Sequence, residues 1–145
     1  MGIYEISDIV ILWRLVEYVS PAGRGAITDW RDDLSIVRKA DFDLFLKLKV
    51  TEKTWGYPDY RALTGKPLKE LYELRWKSEG VPHRIGGYII ESENTFVMLI
   101  GFTHNAKKYD PSSALDTIVK RRKQILNGEA TLNEFKVLTG QGTQG

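Results

Sequence analysis

Residues 71–103 read LYELRWKSEGVPHRIGGYIIESENTFVMLIGFT, and this stretch decides the fold. From Leu71 to Lys77 the chain alternates, with Tyr72, Leu74 and Trp76 on one side and Glu73, Arg75 and Lys77 on the other. That is the period of a half-buried β-strand. Ser78-Glu79-Gly80-Val81-Pro82 reads as a turn, and His83 to Ile90 as a second strand. Glu91 to Asn94 is a second turn, and Thr95 to Thr103 a third strand. Val97-Met98-Leu99-Ile100 is apolar at every position, as a central strand packed on both faces would be. The three strands predict an antiparallel meander.

Downstream, Asp110-Pro111 predicts a helix start, with Asp as N-cap and Pro in the first turn. Asn127-Gly128 predicts its end. Its apolar stripe is Leu115, Ile118, Val119, Ile125 and Leu126. Lys120, Arg121 and Lys123 fall off that stripe, whereas Arg122 should lean inward. Upstream, Ile9 to Val19 reads as a strand ended by Ser20-Pro21-Ala22-Gly23-Arg24-Gly25. Residues 26–38 and 41–53 read as two helices, the second capped by Asp41. Trp55-Gly56-Tyr57-Pro58-Asp59-Tyr60 is an aromatic loop, and residues 140–145 a frayed tail to a domain over 1–139. The expected fold is α+β: an antiparallel sheet with two helices near the N-terminus on one face and a C-terminal helix.

Composition narrows the function. The 145 residues include 4 Trp, 7 Tyr and 5 Phe, enough aromatic bulk for a core and unlike a disordered chain. No apolar run approaches the roughly 20 residues that span a bilayer, so no membrane association is expected. No secretory signal is visible, and the chain has no Cys. Both fit a reducing, cytoplasmic setting, and the second removes disulfides, zinc thiolates and a Cys nucleophile. Two His 21 residues apart make a structural zinc site a poor fit. Neither common Gly-rich phosphate loop occurs, nor a G-x-S-x-G elbow.

Charge is unevenly spread. Residues 1–60 carry 8 Lys/Arg against 10 Asp/Glu, and residues 61–145 carry 13 against 9. The second half therefore suits an anionic partner, although a solvated basic face has the same signature. Arg75 lies on the polar side of its strand. A turn centred on residues 79–80 sets Arg84 opposite it. Like charges across a sheet repel, so either Glu73 or a bound anion must sit between them. Gly101 to Pro111 reads as a loop gathering His104, Lys107, Lys108 and Tyr109 at a strand end, where loops commonly carry function. Beside two lysines the His104 pKa should fall, favouring its neutral form. His83, at a strand start, is expected to be structural.

The ordered series Leu68 to Arg75, Arg84, Leu99-Ile100-Gly101-Phe102, Lys107-Lys108, Pro111 and a basic helix resembles the RelE/HigB-like type II toxin superfamily, most closely its phage-derived branch. The match covers about residues 60–126. It departs from the pattern where Thr103-His104-Asn105-Ala106 lengthens the loop, and the helix arginine is Arg121 or Arg122. The resemblance implies a metal-independent endoribonuclease without a cofactor, an mRNA interferase acting on ribosome-bound mRNA. Arg75, Arg84 and the helix arginine would stabilise charge. His104, Lys107, Lys108 and Tyr109 would move protons, and Lys77, Lys120, Arg121, Arg122 and Lys123 would hold RNA. It also implies a cognate antitoxin, a helix-turn-helix protein. The competing expectation is a toxin-like or phage-derived binding module that acts without catalysis on a protein or nucleic acid.

Overall fold

The computed structural model describes residues 10–137. Among them are seven strands and three α-helices in one mixed α+β arrangement. In chain order these are β1 (Arg14–Val19), α1 (Ala26–Asp32), α2 (Ile36–Lys49), β2 (Tyr60–Ala62), β3 (Tyr72–Ser78), β4 (Val81–Ile90), β5 (Thr95–Asn105), β6 (Lys108–Asp110), α3 (Ala114–Leu126) and β7 (Thr131–Glu134). The sheet order is β2-β3-β4-β5-β1-β7, with β6 extending β5 as a hairpin. No helix among the described residues is long and apolar enough to cross a membrane.

The meander β3-β4-β5 is antiparallel throughout. Its first turn is only Glu79-Gly80, with φ of 53° and 78°. Two successive positive φ values match the right-handed twist of the flanking strands. The turn is therefore tighter than residues 78–82 suggested, and Ser78, Val81 and Pro82 belong to the ladder. β5 is buried from Thr95 to Phe102. At its middle, Gly86 pairs with Ile100 while Gly87 pairs with Met98, which leaves Leu99 as a bulge. Gly87 is required there by close approach, since a Cβ on it would lie 1.9 Å from the Val97 carbonyl oxygen.

The sheet is not wholly antiparallel, because β1 runs parallel to β5. The two intervening helices cross back over one face, which permits that direction. Leu15, Leu74, Ile85, Phe96 and Met98 meet Ile27 of α1 and Phe42 and Leu46 of α2 on this face. On the opposite face Val16, Tyr18, Val97, Leu99 and Phe102 meet Ala114 and Ile118 of α3. β1 begins at Arg14 rather than Ile9. Val10 and Ile11 lie exposed before it, and Ile9 is outside the described residues. The tail at 140–145 is likewise outside them.

Helix boundaries follow caps that the residue pattern did not isolate. The break between α1 and α2 falls at 33–35, and Ser35, not Asp41, caps α2 by accepting from the Arg38 N–H at 3.3 Å. Asp41 instead sits inside the helix and accepts from Ser78 Oγ at 2.6 Å. The N-cap of α1 is Gly25, which has no side chain to offer. Glu17 of β1 fills the role: its Oε1 accepts from the Ile27 and Thr28 N–H groups, both at 2.8 Å. This explains a charged side chain only 5% exposed.

The third helix also corrects the reading. Asp110 is the last residue of β6 and not an N-cap, and α3 starts after Ser113. Nor is that helix the last element among the described residues: β7 returns beside β1, antiparallel to it. Leu126 is 72% exposed and outside the stripe. Arg121, not Arg122, turns inward. Its Nη1 donates to the carbonyl of bulged Leu99 at 2.7 Å, and its guanidinium lies 4.8 Å from the Tyr18 ring centre. Arg122 donates to the Lys69 carbonyl at 2.8 Å, tying the helix to the segment before β3.

Candidate functional site

The register of β3 and β4 sets Arg75 directly opposite Arg84 on the sheet face that carries α3. Two positions back, on the same face of β3, stands Glu73, only 1% exposed. Its Oε2 accepts from Arg84 Nη1 at 2.9 Å and from Arg61 Nε of β2 at 2.8 Å. Arg75 Nε lies 3.7 Å from the same oxygen. Three guanidinium groups thus converge on one carboxylate, leaving a surplus of two positive charges. Arg75 Nη1, Arg84 Nε and the second carboxylate oxygen, Glu73 Oε1, are all buried without a hydrogen-bond partner, so the cluster holds two open donors and one open acceptor. Exposure grades across the cluster: the side chains of Arg84, Arg75 and Arg61 are 9%, 24% and 46% exposed. Arg84 therefore anchors the carboxylate from below, while Arg75 and Arg61 reach the surface. Lys77, two residues beyond Arg75 on the same face, is exposed.

β5 and β6 bring an aromatic pair to this cluster. Residues 101–111 are not a loop: β5 continues to Asn105, turns at Ala106-Lys107 and returns as β6. His104 pairs with Tyr109 across the hairpin, and their rings stack at 4.2 Å and 15°. Tyr109 rests in turn against Phe102, at 5.8 Å between ring centres. A cavity of about 140 Å³ opens beside them, lined by Arg61, Glu73, Leu68, Tyr109 and Leu115.

The His104 pKa lies below its usual 6.5, first through burial and next through the charge of Arg84. Arg61 and Arg75 push it the same way, and Glu73 opposes them. The direction agrees with the sequence expectation but the cause does not, since burial and then the arginine cluster replace Lys107 and Lys108. Lys107 occupies the exposed hairpin turn. Lys108 is exposed too, and strand alternation turns it to the face opposite Tyr109.

The structure thus brings together Arg75, Arg84, His104 and Tyr109, with Lys77 at the margin. It does not bring Lys107 and Lys108 into the cluster. Lys120 and Lys123 lie exposed on α3, and Arg121 and Arg122 are committed to backbone carbonyls. His83 is fully buried on the other face, between Trp30 and Trp76, with Nδ1 bonded to the Val81 carbonyl at 2.8 Å. Burial lowers its pKa, and a neutral structural imidazole results. Two contributors had escaped the sequence reading. Arg61 falls just past the aromatic loop, in a strand of only three residues. Tyr57, within that loop, lies 5.8 Å from the Arg75 guanidinium.

No family model, curated protein or solved structure matches this chain.

Proposed function

We propose that the protein is a metal-independent endoribonuclease of RelE/HigB-like toxin type, working at the Arg61–Glu73–Arg75–Arg84 cluster. One observation carries this reading: a cationic surplus adjoins a histidine whose pKa is held below its usual value by burial and by Arg84. Phosphoryl transfer from RNA needs those two components side by side.

In this reading an RNA phosphate settles over Arg75 and Arg61. His104 takes the proton of the adjacent 2′-OH, and that oxygen bonds to phosphorus. The arginines stabilise the negative charge that builds on the phosphorane. The P–O5′ bond then breaks, and Tyr109 supplies a proton to the leaving oxygen. The products are a 2′,3′-cyclic phosphate and a free 5′-OH. Arg84 acts through Glu73 as a positioning residue. The partners in this reading are mRNA on the ribosome and an antitoxin that covers the basic face, all in the cytoplasm.

A second reading has a specific observation behind it. Glu73 already engages the arginines, and such a cluster could bind an anionic partner without cleaving it.

RNA incubated with the purified protein in EDTA separates the two. The nuclease reading expects fragments ending in 2′,3′-cyclic phosphate, and a rate reduced about 10²–10⁴-fold by His104→Ala. Cleavage that EDTA abolishes would refute it. RNA left intact, free and on translating ribosomes, while expression still arrests growth would favour the binding module.

A further inference from the structure

Tyr57 is a large aromatic side chain, 78% exposed, in the loop between α2 and β2. A single exposed aromatic ring is ordinary on a protein surface. Its placement is not, because the Arg75 guanidinium lies 5.8 Å from its ring centre. The loop is held there by the backbone: the Arg75 N–H donates to the Asp59 carbonyl at 2.8 Å, and the Tyr60 N–H to the Gly56 carbonyl at 3.1 Å. With so much of the ring exposed, one face meets Arg75 and the other is open. The cationic cluster is thereby flanked by aromatic groups on both sides, Tyr57 at the β2 edge and the His104–Tyr109 stack at the β6 edge.

Alternating cations and open aromatic faces suit single-stranded nucleic acid. The cations track the phosphates, and the rings accept unpaired bases whatever their identity. Duplex bases, stacked on one another, cannot use such a ring. An acidic peptide would use the cations and leave the ring idle. We infer that Tyr57 forms a base-stacking subsite, holding an unpaired nucleobase next to the phosphate bound at Arg75. This rests on the reading of the arginine cluster as a phosphate site, and it adds a preference for single strands that the cluster alone does not supply.

Binding can be separated from cleavage with a short fluorescent DNA single strand, which has stackable bases but no 2′-OH to attack. Anisotropy should show the wild-type protein binding the single strand more tightly than the matching duplex. Tyr57→Ala should weaken single-strand binding about 5- to 150-fold, the range for loss of one base–aromatic stack. Tyr57→Phe should retain it, because stacking uses the ring face and not the hydroxyl. Circular dichroism of Tyr57→Ala should match the wild type, given the exposure of the side chain. Unchanged affinity in Tyr57→Ala, or equal affinity for duplex and single strand, overturns the subsite while leaving RNA cleavage to its own assay. Tyr57-dependent binding, with RNA left intact both free and on translating ribosomes, upholds the subsite and ends the nuclease reading. If a glutamate-rich peptide binds and the oligonucleotide does not, both fall.

Discussion

Glu73 is the residue on which the site turns. It is a buried carboxylate whose partners are buried to different depths, so its loss and theirs should differ. Removing it leaves Arg84, with a side chain 9% exposed, charged and uncompensated in the sheet. Breaking a buried pair in this way typically costs about 3–5 kcal/mol. Glu73→Ala should therefore lower the urea midpoint sharply. Arg61→Ala removes a side chain that is 46% exposed and should cost no more than about 1 kcal/mol. Equal, small losses in both variants would show that Arg84 does not depend on the carboxylate. The same residues show what could be read from sequence. Arg75 and Arg84 were legible as a facing pair because strand parity and one turn position fix it. The choice between Glu73 and a bound anion was not legible, because it depends on side-chain depth. The surplus of arginine now gives Glu73 the first role and leaves room for the second.

At the scale of elements, Arg121 adds a polar anchor to the apolar packing of α3. Bulged Leu99 directs its carbonyl toward Arg121, which also covers Tyr18. A hydrogen bond from a charged donor contributes about 1.5–3 kcal/mol. Arg121→Ala should thus destabilise by roughly that amount in urea unfolding, and Lys120→Ala by no more than about 0.5 kcal/mol. Matching losses at the two positions would remove Arg121 from its anchoring role. The bulge also explains why the helix was misread. Helical spacing alone placed Arg121 off the apolar stripe. Nothing in a run such as Val97-Met98-Leu99-Ile100 marks where a strand gains a residue and frees a carbonyl. The β5–β6 hairpin escaped notice for a related reason. Its turn places Ala106 at φ 58°, without the Gly or Asn that usually signals such a position. The meander was legible because alternation and turn residues agreed. β7, four residues long and mostly exposed, had no alternation to betray it.

In the whole molecule, the sheet separates two jobs. Its α1–α2 face is packed with aromatic side chains and buries His83 among them. The other face is covered by α3 over only part of its area, and the arginine cluster and His104 occupy the remainder. The basic excess of the second half of the chain is thus divided. Arg121 and Arg122 serve the helix, and Arg61, Arg75, Lys77 and Arg84 gather on the open part of the sheet.

The pH profile of RNA cleavage in EDTA tests the central claim most directly. With His104 as the base, kcat/KM should rise with pH as the imidazole loses its proton. The midpoint should lie below 6.5, because burial and Arg84 disfavour the charged form, and the rate should be level by about pH 7. His104→Gln should lose that acid limb together with about 10²–10⁴ in rate. An acid limb unchanged in His104→Gln, or RNA intact at every pH, would contradict the account.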